Sequence, residues 1–302
     1  GSKPGEGQFA GVCLMDARSI AATAANGGRI TAATDVDYTP VHHDYHFDKS
    51  VYANRVYYGF GKADPSVELV MGPNITDWPK MYPLSENLLV ELAAVIHDPV
   101  TTTDELIPSG ETSSYRSNPL RLAEFTLSRR VPEYVPRAKE IAKQEAARRA
   151  GDVPAHLHDV LERVGDAAAL AESTQFGSAV FANKPGDGSA REQAASCQKV
   201  LGGFANVCYG FATKRYRSNV MNWGMVPFQL KGVPPFEVGD YVYVPGICEA
   251  IGGDLSSIPA WVVHAGEARE ISLYVADMTD EERAIVRAGC LINYNRTRRE
   301  KE

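Results

Sequence analysis

Apolar positions change their spacing along the chain, and each spacing predicts a different element. Residues 17–28 are rich in alanine, follow Asp16 as an N-cap and stop at Gly27-Gly28, so they read as a helix. Residues 66–71 alternate and end at Gly72-Pro73-Asn74, which predicts a strand; residues 87–96 form a longer apolar stretch closed by Asp98-Pro99. A helical run of Ala, Lys, Glu and Arg over 137–149 stops at Gly151, and a second helix covers 156–164 after Pro154. Short strands are expected at 178–182, 207–211, 241–244, 261–263 and 271–275. The chain closes with a helix that Thr279 caps and Gly289 ends. Residues 35–61 are irregular and carry five tyrosines, the composition of a linker pinned to a surface rather than a Gly/Ser tether. The order is mixed α/β.

Composition narrows the function classes. A chain of 302 residues, 44% hydrophobic and 23% charged, can bury one large core or two modest ones. The 31 basic and 38 acidic side chains leave a formal charge of −7, which makes nucleic acid a poor default partner. Cys13, Cys197, Cys208, Cys248 and Cys290 are scattered, with no C-x-x-C, as expected for free thiols in a reducing, cytoplasmic setting. No run of 18 or more apolar residues is present, so no helical membrane span is expected. Gly1-Ser2, without a Met, reads as an expression-tag scar.

The densest chemistry lies at Gly186-Asp187-Gly188-Ser189-Ala190-Arg191-Glu192, where a hydroxyl and a guanidinium fall at a predicted helix start. Glycines let the backbone approach a ligand, unpaired first-turn amides and the macrodipole attract anions, and Arg191 offers a two-donor fork. The bland alternative is that Ser189 and Glu192 form an S-x-x-E capping box, which does no more than start the helix. His42, His43, Asp44 and His46 lack the partner pair of a zinc site and read as surface hydrogen-bonding groups, so no metal site is expected on this chain. Lys214, Arg215 and Arg217, and the tail with Arg296, Arg298, Arg299 and Lys301, read as a solvated face and a disordered end.

Four ordered segments carry a family resemblance. Gly188-Ser189-Ala190-Arg191-Glu192-Gln193-Ala194 resembles the G-S-S-R-E-[HQ]-A motif of the aconitase and isopropylmalate isomerase superfamily. Thr101-Thr102-Thr103-Asp104, with Ile107, Gly110 and Arg116-Ser117 beyond it, resembles that family's T-T-D stretch and its following arginine. Phe211-Ala212, Asn222 and Gly224-Met225-Val226-Pro227 are similar to the family's S-F-A…N…G-[ML]-[LV]-P, and residues 13–30 to the end of its cluster-bearing region.

The resemblance implies a swivelling β/β/α domain over residues 63–302, a partly closed sheet flanked by helices. Residues 1–62 would be the end of the upstream region plus a linker. It implies a hydro-lyase acting on a small di- or tricarboxylic hydroxy acid, inactive as this isolated chain. Ser189 would be the base and Asp104 a second catalytic carboxylate, with Arg116, Arg191, Gly188 and Ala190 binding substrate. The [4Fe-4S] cluster would be held by cysteines outside this chain, in cluster-bearing domains or a large subunit acting as partner. The family's second serine is Ala190 here, so a non-catalytic carboxylate-binding relative is the competing reading and an RNA-binding relative a third.

Overall fold

The computed structural model describes residues 7, 11, 13–37, 46–55 and 59–300, in two compact units that divide between Glu68 and Leu69. His42, His43, Asp44 and Lys301 lie outside the described residues. In the first unit, helix α1 (Ala17–Ala25) starts where the Asp16 carboxylate accepts from the amides of Arg18 and Ser19, at 2.9 and 3.2 Å. Helix α2 (Ser50–Ala53) is a single turn.

The second unit is built on strands β1 (Asn87–Ile96), β2 (Thr101–Thr102), β3 (Thr174–Ala182), β4 (Pro185–Asp187), β5 (Gly203–Cys208), β6 (Val226–Leu230), β7 (Tyr241–Val244), β8 (Ile258–His264) and β9 (Glu267–Tyr274). Around them lie α3 (Thr103–Leu106), α4 (Pro119–Ala123), α5 (Tyr134–Arg149), α6 (Ala155–Glu162), α7 (Ala167–Ser173), α8 (Arg191–Val200), α9 (Lys214–Asn222), α10 (Ile247–Ala250), α11 (Asp280–Ala288) and α12 (Leu291–Arg299). The strands close into a barrel in the order β1-β3-β5-β6-β9-β8-β7. The β1, β3, β5 and β6 pairings are parallel, and antiparallel β9, β8 and β7 return the sheet to β1.

Period-2 alternation sorts the side chains. Leu88, Val90 and Leu92 of β1 join Ala179 and Phe181 of β3 and Val242 and Val244 of β7 in one buried cluster. Leu89, Phe176 and Val180 join a second cluster with Ala138 and Ile141 of α5 and Ala194 of α8. A register shift between Leu92 and Ala94 realigns β1 with β3 midway.

Three expectations are corrected. The sheet is fully closed rather than partly closed, because the antiparallel trio spans the gap from β6 back to β1. Residues 66–71 form no strand; a closed barrel offers no free edge to pair with, and alternation without a neighbouring ladder leaves amides unpaired. The basic tail is not a disordered end: residues 291–299 are helical, while Lys214 and Arg215 are exposed on α9 as a solvated face and Arg217 donates to the Ala276 and Asp277 carbonyls at 2.8 Å each.

Candidate functional site

The parallel strands β1, β3 and β5 all end on one side of the barrel, and each continues into a helix start. That is where open parallel sheets place ligands, because loops and helix N-termini converge there. From β1 the chain runs through β2 to α3, from β3 through β4 to α8, and from β5 to α9.

Hydrogen bonds pin these connections together. Thr101 N donates to Lys184 O at 3.0 Å and starts the parallel β2–β4 pair, in which Thr101 faces Pro185 and Thr102 faces Asp187. Ala212 N donates to Pro185 O at 2.9 Å, and the Thr213 hydroxyl to Gly186 O at 3.1 Å. Gly186 and Gly188 both have positive φ, 94° and 134°. A side chain at Gly186 would strike the Tyr216 ring, and one at Gly188 the Thr103 hydroxyl. Segments about eighty residues apart in sequence thereby sit side by side.

Ser189 lies on the exposed rim of this junction. The helix α8 begins after Ala190, which is the N-cap and makes no side-chain cap bond. The capping-box alternative therefore fails: Ser189 is one position too early, and the Glu192 carboxylate instead accepts from Trp223 Nε1 at 3.1 Å. With alanine at the cap, the first-turn amides of α8 have no side-chain acceptor. Arg191 is half-buried, and its Nε is buried without a hydrogen-bond partner.

Asp104 is exposed in the first turn of α3, started by a capping box between Thr102 and Glu105. Its carboxylate meets Arg129 at 2.8 Å, and the same guanidinium pairs with Glu111. Arg129 thus clamps α3 to the loop that carries Arg116. Within that loop Thr112 Oγ1 donates to Pro108 O at 3.0 Å, and stacking of Tyr115 on Phe125 anchors it. Arg116 is exposed at the end of the 3-10 turn Ser113–Tyr115; among the described residues no hydrogen bond or ion pair joins it to the Gly188–Arg191 run. The fold therefore brings Asp104, Gly188, Ser189, Ala190 and Arg191 to one junction and presents Arg116 on a braced loop beside α3.

Beneath α8 lies a closed ring of three buried side chains. Gln198 Nε2 donates to Tyr216 Oη at 2.9 Å, Tyr216 Oη to Asn206 Oδ1 at 2.8 Å, and Asn206 Nδ2 to Gln198 Oε1 at 2.8 Å. The ring ties α8, α9 and β5 together. Neither it nor Arg129 was singled out by sequence reasoning; the available signal was the polar run Ser196, Gln198 and Lys199 on a helix otherwise packed into the core.

The cysteines do not form a cluster site. Cys13 is exposed, Cys248 partly buried and Cys197, Cys208 and Cys290 buried, all free. Burial pushes the Cys197 and Cys208 thiols up to about 12, opposite to the thiolate that iron ligation needs. Among the described residues the one grouping with metal-ligand spacing is His158, Asp159 and Glu162 on α6, away from the junction.

The class that fold and site define is a closed mixed α/β barrel with helix starts gathered at the carboxyl ends of its parallel strands. Among solved structures, 3-isopropylmalate dehydratase from Methanocaldococcus jannaschii is a structural neighbour at 19% identity and a TM-score of 0.42, covering 71% of this chain and 96% of its own. No family model and no curated protein matches the chain. No helix among the described residues is long and apolar enough to cross a membrane.

Proposed function

We propose that this chain is the swivelling, small-subunit-type part of an aconitase-type hydro-lyase that removes and re-adds water on a small di- or tricarboxylic hydroxy acid. The observation that carries the reading is the β2–β4 pairing, which sets Thr101 and Thr102 against Pro185 and Asp187 and so brings Thr103 against Gly188, where the Gly188–Arg191 run begins. Residues 63–302 would be the swivelling domain and residues 1–62 the end of an upstream region with its linker.

In this proposal Ser189 takes the proton beside a substrate carboxylate. The start of α8 and Arg191 stabilise the Ser189 alkoxide that accepts this proton and becomes the neutral hydroxyl, once a second body closes over the rim and excludes water. Arg191 and Arg116 grip carboxylates as planar forks, and Asp104, held by Arg129, orients a group from the partner. Exposure of Ser189, Asp104 and Arg116 fits a half-site that a cluster-bearing partner completes. Any [4Fe-4S] cluster would belong to that partner, since the thiols of this chain do not fit one.

The alanine at the α8 N-cap also favours a second reading, a carboxylate-binding relative without turnover, because the uncapped amides alone can hold an anion. Assembly with cluster-bearing domains decides between them. Hydration activity that Ser189→Ala lowers at least about a hundredfold supports the hydro-lyase, on the scale of losing a general base. Carboxylate binding without turnover by the assembled protein supports the second.

A further inference from the structure

A second site lies away from the junction, where the C-terminal end of α8 meets α5 and residues 79–82. A cavity of about 250 Å³ opens there, bordered by Tyr82, Arg149, Phe176, Lys199 and Phe204. Lys199 is 4% exposed, and its Nζ is buried with no hydrogen-bond partner, lying 4.1 Å from the centroid of the Phe204 ring. A buried ammonium satisfied only by a ring face is costly unless a counter-ion reaches it. Gly177 makes the arrangement possible, since any side chain there would occupy the place of the Phe204 ring.

The charge around the cavity is one-sided. Glu145, the acid on its wall, is already committed to Arg148 and Arg149 at 2.7 Å each and accepts from Phe176 N at 3.0 Å. Arg149 also lies 3.9 Å above the Tyr82 ring, and Lys80 stands exposed at the rim, 4.9 Å from the same ring. One carboxylate on the wall thus faces three cations there, Lys80, Arg149 and Lys199. The remaining walls are apolar, with Met81, Ala142 and Phe176 among them.

We propose that this cavity binds a small carboxylate carried on an aromatic or short aliphatic body, the carboxylate pairing with Lys199 and the body packing on Phe176 and Phe204. The space is sufficient, because a cavity of about 150 Å³ already holds a benzene ring. Nζ is sealed from solvent, so pairing with a ligand oxygen requires Lys199 or Phe204, both bordering the cavity, to rotate. Burial and the nearby Arg149 hold the ammonium down near 7, opposed by the Cys290 thiol; an incoming carboxylate reverses that shift. Binding above pH 7 therefore takes up a proton. The inference stands whether or not Ser189 is a base.

The test is titration of the whole chain with benzoate and hexanoate, with benzyl alcohol as an uncharged control, by calorimetry in buffers of different ionisation heat. Saturable binding of an acid at pH 8.5 with proton uptake is expected, weakened at least about tenfold in Lys199→Met, the loss of one hydrogen bond to a charged group. Ala146→Phe, which fills the cavity from its exposed wall, should abolish binding and decides the matter if Lys199→Met does not fold. No saturable binding, binding without proton uptake, equal binding of benzyl alcohol, or unchanged binding in either folded variant would overturn the proposal.

Discussion

A Cβ placed on Gly188 would lie 2.1 Å from the Thr103 hydroxyl oxygen, so the two helix starts α3 and α8 approach as closely as a missing side chain allows. Gly188 also sits at φ 134°, where L side chains are strained. Gly188→Ala should cost about 2–4 kcal/mol by denaturant unfolding, strain and overpacking together. Adding Thr103→Ala should recover the overpacking part and leave the backbone part. Equal stability of Gly188→Ala and wild type would mean the two segments are not apposed.

Ser189 and Thr213 separate capping from chemistry. Thr213 accepts from Tyr216 N at 3.2 Å as the α9 N-cap, so Thr213→Ala should cost about 1 kcal/mol. Ser189 makes no cap bond, and Ser189→Ala should change stability by no more than about 0.5 kcal/mol. Thermal melts of the two variants check this; a larger loss for Ser189→Ala than for Thr213→Ala would restore the capping reading.

Ala190→Ser places a hydroxyl at the N-cap of α8, where it can accept from a first-turn amide. A gain of about 0.5–1 kcal/mol in stability is expected. The same hydroxyl competes with a ligand carboxylate for those amides, so carboxylate binding to the assembled protein should weaken as stability rises. Tighter binding would instead show that the hydroxyl adds a donor to the ligand.

The ring of Gln198, Tyr216 and Asn206 predicts a larger effect from a smaller change. Tyr216→Phe removes one oxygen and leaves Asn206 Oδ1 without its donor in the core. A loss of about 1–3 kcal/mol is expected, the cost of an unsatisfied buried group. Chemical denaturation measures it, and Gln198→Glu or Asn206→Leu should not restore the loss.

Lys199 gives the pH dependence a sign. Its folded value, about 7, lies below the ordinary 10.5, so between these values the unfolded chain binds a proton that the folded chain does not. This group's contribution makes stability rise from pH 7 toward 10.5, by roughly 1 kcal/mol per pH unit, and level off below 7. In Lys199→Met that slope should vanish and stability at pH 7 increase. An identical slope in the variant would place the titration elsewhere.

Local signals carried much of the architecture in the amino-acid order alone. Thr279 with Glu282, Gly289 at φ 86° and Asp16 cap helices as read, because caps depend on three or four neighbouring residues. Residues 178–182, 241–244 and 261–263 fall within strands β3, β7 and β8, and 271–275 runs one residue past the end of β9, since period-2 burial is written into composition; the stretch at 207–211 overlaps β5 only at its end. The motif order at Thr103-Asp104 and Gly188-Arg191 was also visible. What the order could not show is whatever depends on closure over long separations: the return of β7 to β1, the pairing of β2 with β4, and the shift of the α8 cap from Ser189 to Ala190. The strand signal at 66–71 failed for the same reason, because a strand exists only where a partner edge is free. Lys199 is the sharpest case: its neighbours in sequence describe a polar helix end, and only packing of Phe204 and Arg149 around it turns an ordinary lysine into a buried amine without a hydrogen-bond partner.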